Sequence, residues 1–108
     1  MVLHSIATFG TPEQKNKWLT MAENMDIMTC YAQTEIGHGS DVSGLLTTAT
    51  FDKKSDEFVI HTPCMEATKW WPGDIGRMSN VALVFAKLII PDDDGAQNAY
   101  GVVPFIVQ

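Results

Sequence analysis

The sequence has no apolar run near the roughly 18 residues that a membrane-crossing helix requires, so no membrane span is expected. Its opening, Met1-Val2-Leu3-His4-Ser5, lacks both a basic stretch and a long apolar core, so no signal peptide is expected there. Basic residues are scarce: seven Lys and Arg stand against thirteen Asp and Glu, giving a net charge of −6. That balance argues against a general nucleic-acid or anionic-membrane surface. Cysteine is scarcer still. Cys30 and Cys64 have no metal-ligand spacing, and Cys30 lies in an apolar run, so reduced, buried thiols of an intracellular protein are expected. A nucleophilic triad is missing as well. His4, His38 and His61 lie in three different segments, and neither Ser40 nor Ser43 has a base at a fixed spacing. No pair of histidines or carboxylates has the spacing of metal ligands. Repeats and low-complexity tracts are absent.

What is present suits a folded domain. The chain has 108 residues, 45% of them hydrophobic, enough to bury roughly two thirds of the unfolded surface. Thr11-Pro12-Glu13-Gln14 is a helix start: threonine caps, proline suits the first turn, and Gln14 completes a capping box. Trp18, Ala22 and Met25 follow at helical spacing, with Leu19 and Met21 beside them, predicting a helix over 12–23. From Ile27 the period changes. Strands are predicted over 27–33 and 45–51, then a hairpin through Asp52–Asp56 into a return strand over 57–62. A short strand over 65–71, a loop over 74–79, a central strand over 80–90 and a last strand over 100–107 complete the chain. Asp92-Asp93-Asp94-Gly95 reads as a solvated turn. The expected architecture is mainly β: a compact antiparallel barrel or sandwich preceded by one or two helices. Met1–Phe9 shows no cap and no hydrophobic partner of its own, and Gly101–Gln108 stops in mid-strand, so a fragment of a longer protein is expected.

The stretch from Tyr31 to Gly44 stands out, because an apolar strand breaks there into a segment carrying Gly37, Gly39 and Gly44. Glycines permit positive φ or close approach, and a polar loop at the end of a buried strand is where a small-molecule edge is often met. Glu35 and Asp41 flank these glycines, and their expected role is to accept amide hydrogen bonds within the loop. Thr34 sits where strand becomes loop, with a hydroxyl able to donate or accept. Trp70 and Trp71 are large enough to wall the same cleft, and Gly73 would let a ligand approach the main chain; as plain core anchors they would need no ligand.

Tyr-Ala-Gln-Thr-Glu-Ile-Gly-His-Gly-Ser (31–40), Gly-Leu-Leu-Thr-Thr-Ala-Thr-Phe-Asp (44–52), Lys-Trp-Trp-Pro-Gly (69–73) and Gly-Val-Val-Pro-Phe-Ile-Val (101–107) resemble the middle β domain of the peroxisomal acyl-CoA oxidases. Gly-Thr-Pro-Glu-Gln (10–14) resembles the helix before that domain. The resemblance implies that 1–26 end an N-terminal helical domain and 27–108 form the middle β domain, with C-terminal helical domains outside the chain. It implies FAD as cofactor, contacted by Thr34 and Gly73, by Tyr31, Ala32 and Gln33 at the strand end, and by Gly39 and Ser40 in the loop. The implied activity is desaturation of acyl-CoA to trans-2-enoyl-CoA, with O2 reduced to H2O2, in a peroxisomal homodimer. The family's catalytic base belongs to the C-terminal helices, so the resemblance assigns no catalytic residue here. Leu46 stands where these oxidases commonly carry glutamate, and Asp74 where a second glycine is common. Gly39-Ser40-Asp41-Val42 resembles the acyl-CoA dehydrogenases, which pass electrons to a carrier flavoprotein, whereas Lys69-Trp70-Trp71-Pro72-Gly73 favours oxidase. A catalytically silent β module for partner contact is the alternative from another class.

Overall fold

A computed structural model describes residues 1–73 and 76–108. Asp74 and Ile75, which open the loop expected over 74–79, lie outside the described residues. Helix α1 spans Val2–Phe9 and α2 spans Pro12–Glu23. The capping box of α2 is complete, with the Gln14 amide donating to the Thr11 hydroxyl and the Thr11 amide to the Gln14 side chain. Both ends of α2 fall where the sequence predicts. Helix α1 is the second of the one or two helices expected, but its residues, read from the sequence as lacking a hydrophobic partner, do have partners: Val2 and Ile6, on one helical face, are buried with Trp18, Ile27, Val81 and Leu83 in one core cluster. Met25 leaves that cluster. The helix ends at Glu23, Met25 turns left-handed with φ 62°, and its side chain is 81% exposed.

Five strands follow: β1 (Thr29–Ala32), β2 (Thr48–Asp52), β3 (Glu57–His61), β4 (Val81–Pro91) and β5 (Gln97–Val107). They form a single sheet built on β4. Strand β5 pairs antiparallel along one edge of β4, from Ala82 to Pro91. On the other edge β1 pairs with Val81–Val84 and β2 with Lys87–Ile89, both parallel. Strands β2 and β3 form the expected antiparallel hairpin. The sheet is therefore mainly β as predicted, but mixed in direction rather than antiparallel throughout. It curls into a half-barrel, bringing the rings of Phe58 on β3 and Phe105 on β5 to 5.3 Å although those strands do not pair.

Two other expectations are corrected. Residues 65–71 form no strand: Met65–Ala67 is a single 3-10 turn, and Lys69 makes only an isolated bridge to Glu35. Cys64 is exposed, whereas Cys30 is buried and both are free thiols. The Asp92–Asp94 turn is solvated, with Asp93 paired to Lys53.

Because Trp18 is the largest buried side chain joining the helices to β4, Trp18→Ala is predicted to destabilise the protein by about 3 kcal/mol. Met25→Ala should stay within about 0.5 kcal/mol. Urea unfolding of both variants checks this, and equal effects would refute the helix–sheet core.

Candidate functional site

Because β1 and β2 share one edge of β4 end to end, the chain must leave the sheet after Ala32 and return at Thr48. What closes the excursion is Glu35. Its side chain is only 4% exposed, and it accepts four hydrogen bonds: from the Leu46 amide at 2.8 Å, the Thr47 amide at 2.8 Å, the Thr47 hydroxyl at 2.6 Å and the Lys69 ammonium at 3.1 Å. Four is about what an ionised carboxylate can accept. The Ala67 carbonyl lies 3.1 Å from the same hydroxyl, but one O–H has one proton, and the charged, closer acceptor takes it. This also explains why β2 begins three residues later than predicted. The amides of Leu46 and Thr47 point at Glu35, and the ladder to β4 starts where Lys87 N–H donates to the Thr47 carbonyl at 2.8 Å.

The carboxyl is pulled in two directions. Burial raises its pKa, but the hydroxyl of Thr47, the two amides and Lys69 outweigh burial and hold it below the ordinary carboxylate value. Burial likewise lowers the Lys69 pKa, and the facing Glu35 opposes that shift.

Within the loop the other expected acceptor behaves as predicted: Asp41 accepts from the Ser43 hydroxyl at 2.9 Å and the Gly44 amide at 3.0 Å. A Cβ at Gly44 would collide with that carboxylate, so this glycine serves close approach rather than positive φ. His38 is structural here, its Nδ1 accepting from the amides of Ser40 at 3.0 Å and Asp41 at 2.9 Å.

A second segment runs antiparallel beside the exit of β1. Tyr31 N–H donates to the Pro72 carbonyl at 3.3 Å, Trp70 N–H to the Thr34 carbonyl at 2.9 Å, and Ile36 N–H to the Thr68 carbonyl at 2.9 Å. Thr34 is thereby brought beside Trp70, and a Cβ on Gly39 would stand 3.9 Å from the Thr34 methyl. Gly73 follows on the carbonyl that bonds Tyr31, with φ +66° and nothing within 4 Å of an added Cβ.

The seven residues singled out from the sequence differ in what they present. Tyr31 packs its ring against Phe85 at 5.0 Å on one face of β1 and Ala32 is buried on the other, so both side chains are engaged within the protein. Gln33 and Thr34 are half-buried, while Gly39, Ser40 and Gly73 are exposed. Trp70 is 62% and Trp71 86% exposed, and Trp71 is held left-handed at φ 59°, an outlier for so bulky a residue. They are not core anchors. An apolar cavity of about 450 Å³ between the helices and β5 includes none of these residues. Thr34 and Gly73 thus lie on an open wall rather than in an enclosed pocket. Among the described residues no cluster of three or more His, Cys, Asp or Glu could hold a metal.

Lys69 and Thr47 were not singled out in the sequence. No spacing rule links Lys69 to a carboxylate 34 residues earlier; the only local sign is a lone charge beside Ala67 and two tryptophans.

No family model matches the chain. Among curated proteins it is 56% identical, over all 108 residues, to a peroxisomal acyl-coenzyme A oxidase 1 of Arabidopsis thaliana, of which it spans 16%. The solved structure of Arabidopsis thaliana acyl-CoA oxidase 1 superposes on the whole chain with a TM-score of 0.91 at 54% identity, again over 16% of that protein. A Caenorhabditis elegans acyl-CoA oxidase-2, solved with FAD, ascaroside-CoA and ATP, superposes on the whole chain and 16% of its own with a TM-score of 0.91 at 46% identity. The helix pair and the mixed sheet thus have the fold of an acyl-CoA oxidase segment. The chain belongs to the acyl-CoA oxidase family.

Glu35→Gln is predicted to destabilise the protein by about 3 kcal/mol at neutral pH, because it leaves the Lys69 ammonium buried without its partner. Since the folded pKa of Glu35 is depressed, its contribution is fully present above the unfolded carboxylate value and is lost as pH falls through the folded one. Unfolding free energy measured against pH should show the two proteins converging in acid. A gap that persists or widens there would contradict the assignment.

Proposed function

We propose that this chain is the part of a peroxisomal, FAD-dependent acyl-CoA oxidase that presents one wall of the flavin site. The observation that carries this reading is the chain-long likeness to acyl-CoA oxidases, one of them solved with FAD. On this reading 1–26 close a helical domain and 27–108 belong to the middle β domain, in an enzyme that acts as a homodimer.

The local geometry suits a flat cofactor. Thr34 stands at the end of β1 with no protein partner for its hydroxyl among the described residues, and Gly73 faces open space beside two exposed indole rings. Indole rings left in water are unfavourable unless something flat or apolar covers them. Thr34 and Gly73 would hold the flavin directly, with Gln33, Gly39 and Ser40 at the rim. Tyr31 and Ala32, whose side chains are packed within the protein, would contribute through the backbone. FAD, when bound, supplies the redox chemistry that takes acyl-CoA to trans-2-enoyl-CoA and O2 to H2O2. The residues of this chain bind and orient. Glu35 is unsuited to be the base that removes the α-proton, because four donors already occupy its oxygens behind the wall and lower its basicity.

The full-length protein should purify yellow and generate peroxide from acyl-CoA under air; turnover that needs an electron-carrier flavoprotein instead would mark a dehydrogenase. Gly73→Val and Gly95→Val form a matched pair for the site itself. Both glycines have positive φ, +66° and +82°, and neither has anything within 4 Å of an added Cβ. Backbone strain is therefore comparable, so Gly73→Val should lose most of its FAD while Gly95→Val keeps it. Equal flavin occupancy in two folded variants would remove Gly73 from the site.

A further inference from the structure

Lys69 does more than neutralise Glu35. Its ammonium, with the side chain only 11% exposed, donates to the Gln33 carbonyl at 3.0 Å as well as to Glu35 at 3.1 Å. These acceptors belong to the residues on either side of Thr34. The carbonyl of Thr34 itself is held by Trp70 N–H at 2.9 Å, from the residue next to Lys69. Three consecutive residues, 33 to 35, are thus tied to the Lys69–Trp70 dipeptide, while the Thr34 hydroxyl, like the Gln33 side-chain amide, has no partner among the described residues. The bond to the Gln33 carbonyl satisfies a second of the ammonium's three donors and at the same time fixes that carbonyl in place. Burying an ammonium is costly in itself, and an apolar side chain of similar length would fill the same space.

We propose that Lys69 is a positioning residue, which by bracing the Gln33 carbonyl and the Glu35 carboxylate aims the Thr34 hydroxyl at the flavin. This rests on the reading of Thr34 as a flavin contact. Lys69 does not touch the reacting atoms; it acts through Thr34. If so, the effects of removing Lys69 and of removing the Thr34 hydroxyl on flavin binding do not multiply, because a misaimed hydroxyl has little left to lose.

The test is a cycle in the full-length protein with Lys69→Met, Thr34→Val and the two combined, read as the FAD dissociation constant and the absorption maximum of bound flavin. Far-UV circular dichroism confirms folding. Thr34→Val should weaken FAD by about five- to tenfold, the scale of one hydrogen bond. Lys69→Met should weaken it at least as much and shift the flavin band as Thr34→Val does. Adding Thr34→Val to Lys69→Met should then cost less than a further twofold. A merely structural lysine would lower the melting temperature, and the two losses would multiply; that result overturns the proposal. So does FAD affinity within twofold of the unmodified protein in Lys69→Met. Should Lys69→Met fail to fold, the neutral pair Glu35→Gln/Lys69→Met replaces it in the same cycle under the same criteria. If Thr34→Val alone leaves flavin affinity unchanged, the cofactor assignment of Thr34 fails, and the positioning role fails with it.

Discussion

The Glu35 carboxylate ties together three parts of the chain that no regular ladder joins: the exit of β1, the entry of β2, and the segment around Lys69. The need for it follows from the topology. Strand β4 offers one edge to two parallel strands in succession, so the chain between them must depart and come back in line. At that return the amides of Leu46 and Thr47 have no ladder partner, and unpaired buried amides are costly. A carboxylate satisfies both at once. Burying its charge would cost several kcal/mol if it stood alone, but four donors surround it, and no buried side-chain nitrogen or oxygen among the described residues lacks a partner.

The surface that faces the proposed cofactor depends on the same group. Lys69 reaches Glu35 from the segment that lies along Tyr31–Gly37, and that segment carries Trp70, Trp71 and Gly73. The clasp inside the protein and the open wall outside it are two sides of one pair of chain segments. Rigidity behind a binding wall is what keeps a flat ligand's hydrogen-bonding edge in register. The exposed rings and the left-handed Trp71 and Gly73 lie where that rigid pairing ends.

How much of this was legible in the sequence depended on distance along the chain. The capping box at Thr11 and Gln14 is local, and helix α2 has the predicted ends. The hairpin of β2 and β3 is local too, with Phe51 opposite Phe58. The role of Glu35 as an amide acceptor was readable from its place beside glycines. The packing of helix α1 was not, because its two buried residues gain meaning only against Trp18 and β4. Strand direction was hidden for a similar reason: β1 and β2 are parallel to a strand that comes dozens of residues later. Residues 65–71 have the composition of a strand, yet they meet the exit of β1 through separate bonds, Ile36 N–H to Thr68, Trp70 N–H to Thr34 and Lys69 to Glu35, with isolated bridging in place of a ladder. The motifs of the proposed cofactor wall were readable as motifs, but the lysine behind them was not.

The most direct test of the clasp is a double-mutant cycle between Glu35→Gln and Thr47→Val, read as unfolding free energy near pH 7. Both groups are buried, and the bond between them is short at 2.6 Å. If the carboxylate joins the exit of β1 to the entry of β2, the two changes should couple by about 1 kcal/mol or more. Additivity within about 0.3 kcal/mol would contradict the account, leaving Glu35 and Thr47 as neighbours that stabilise the protein separately.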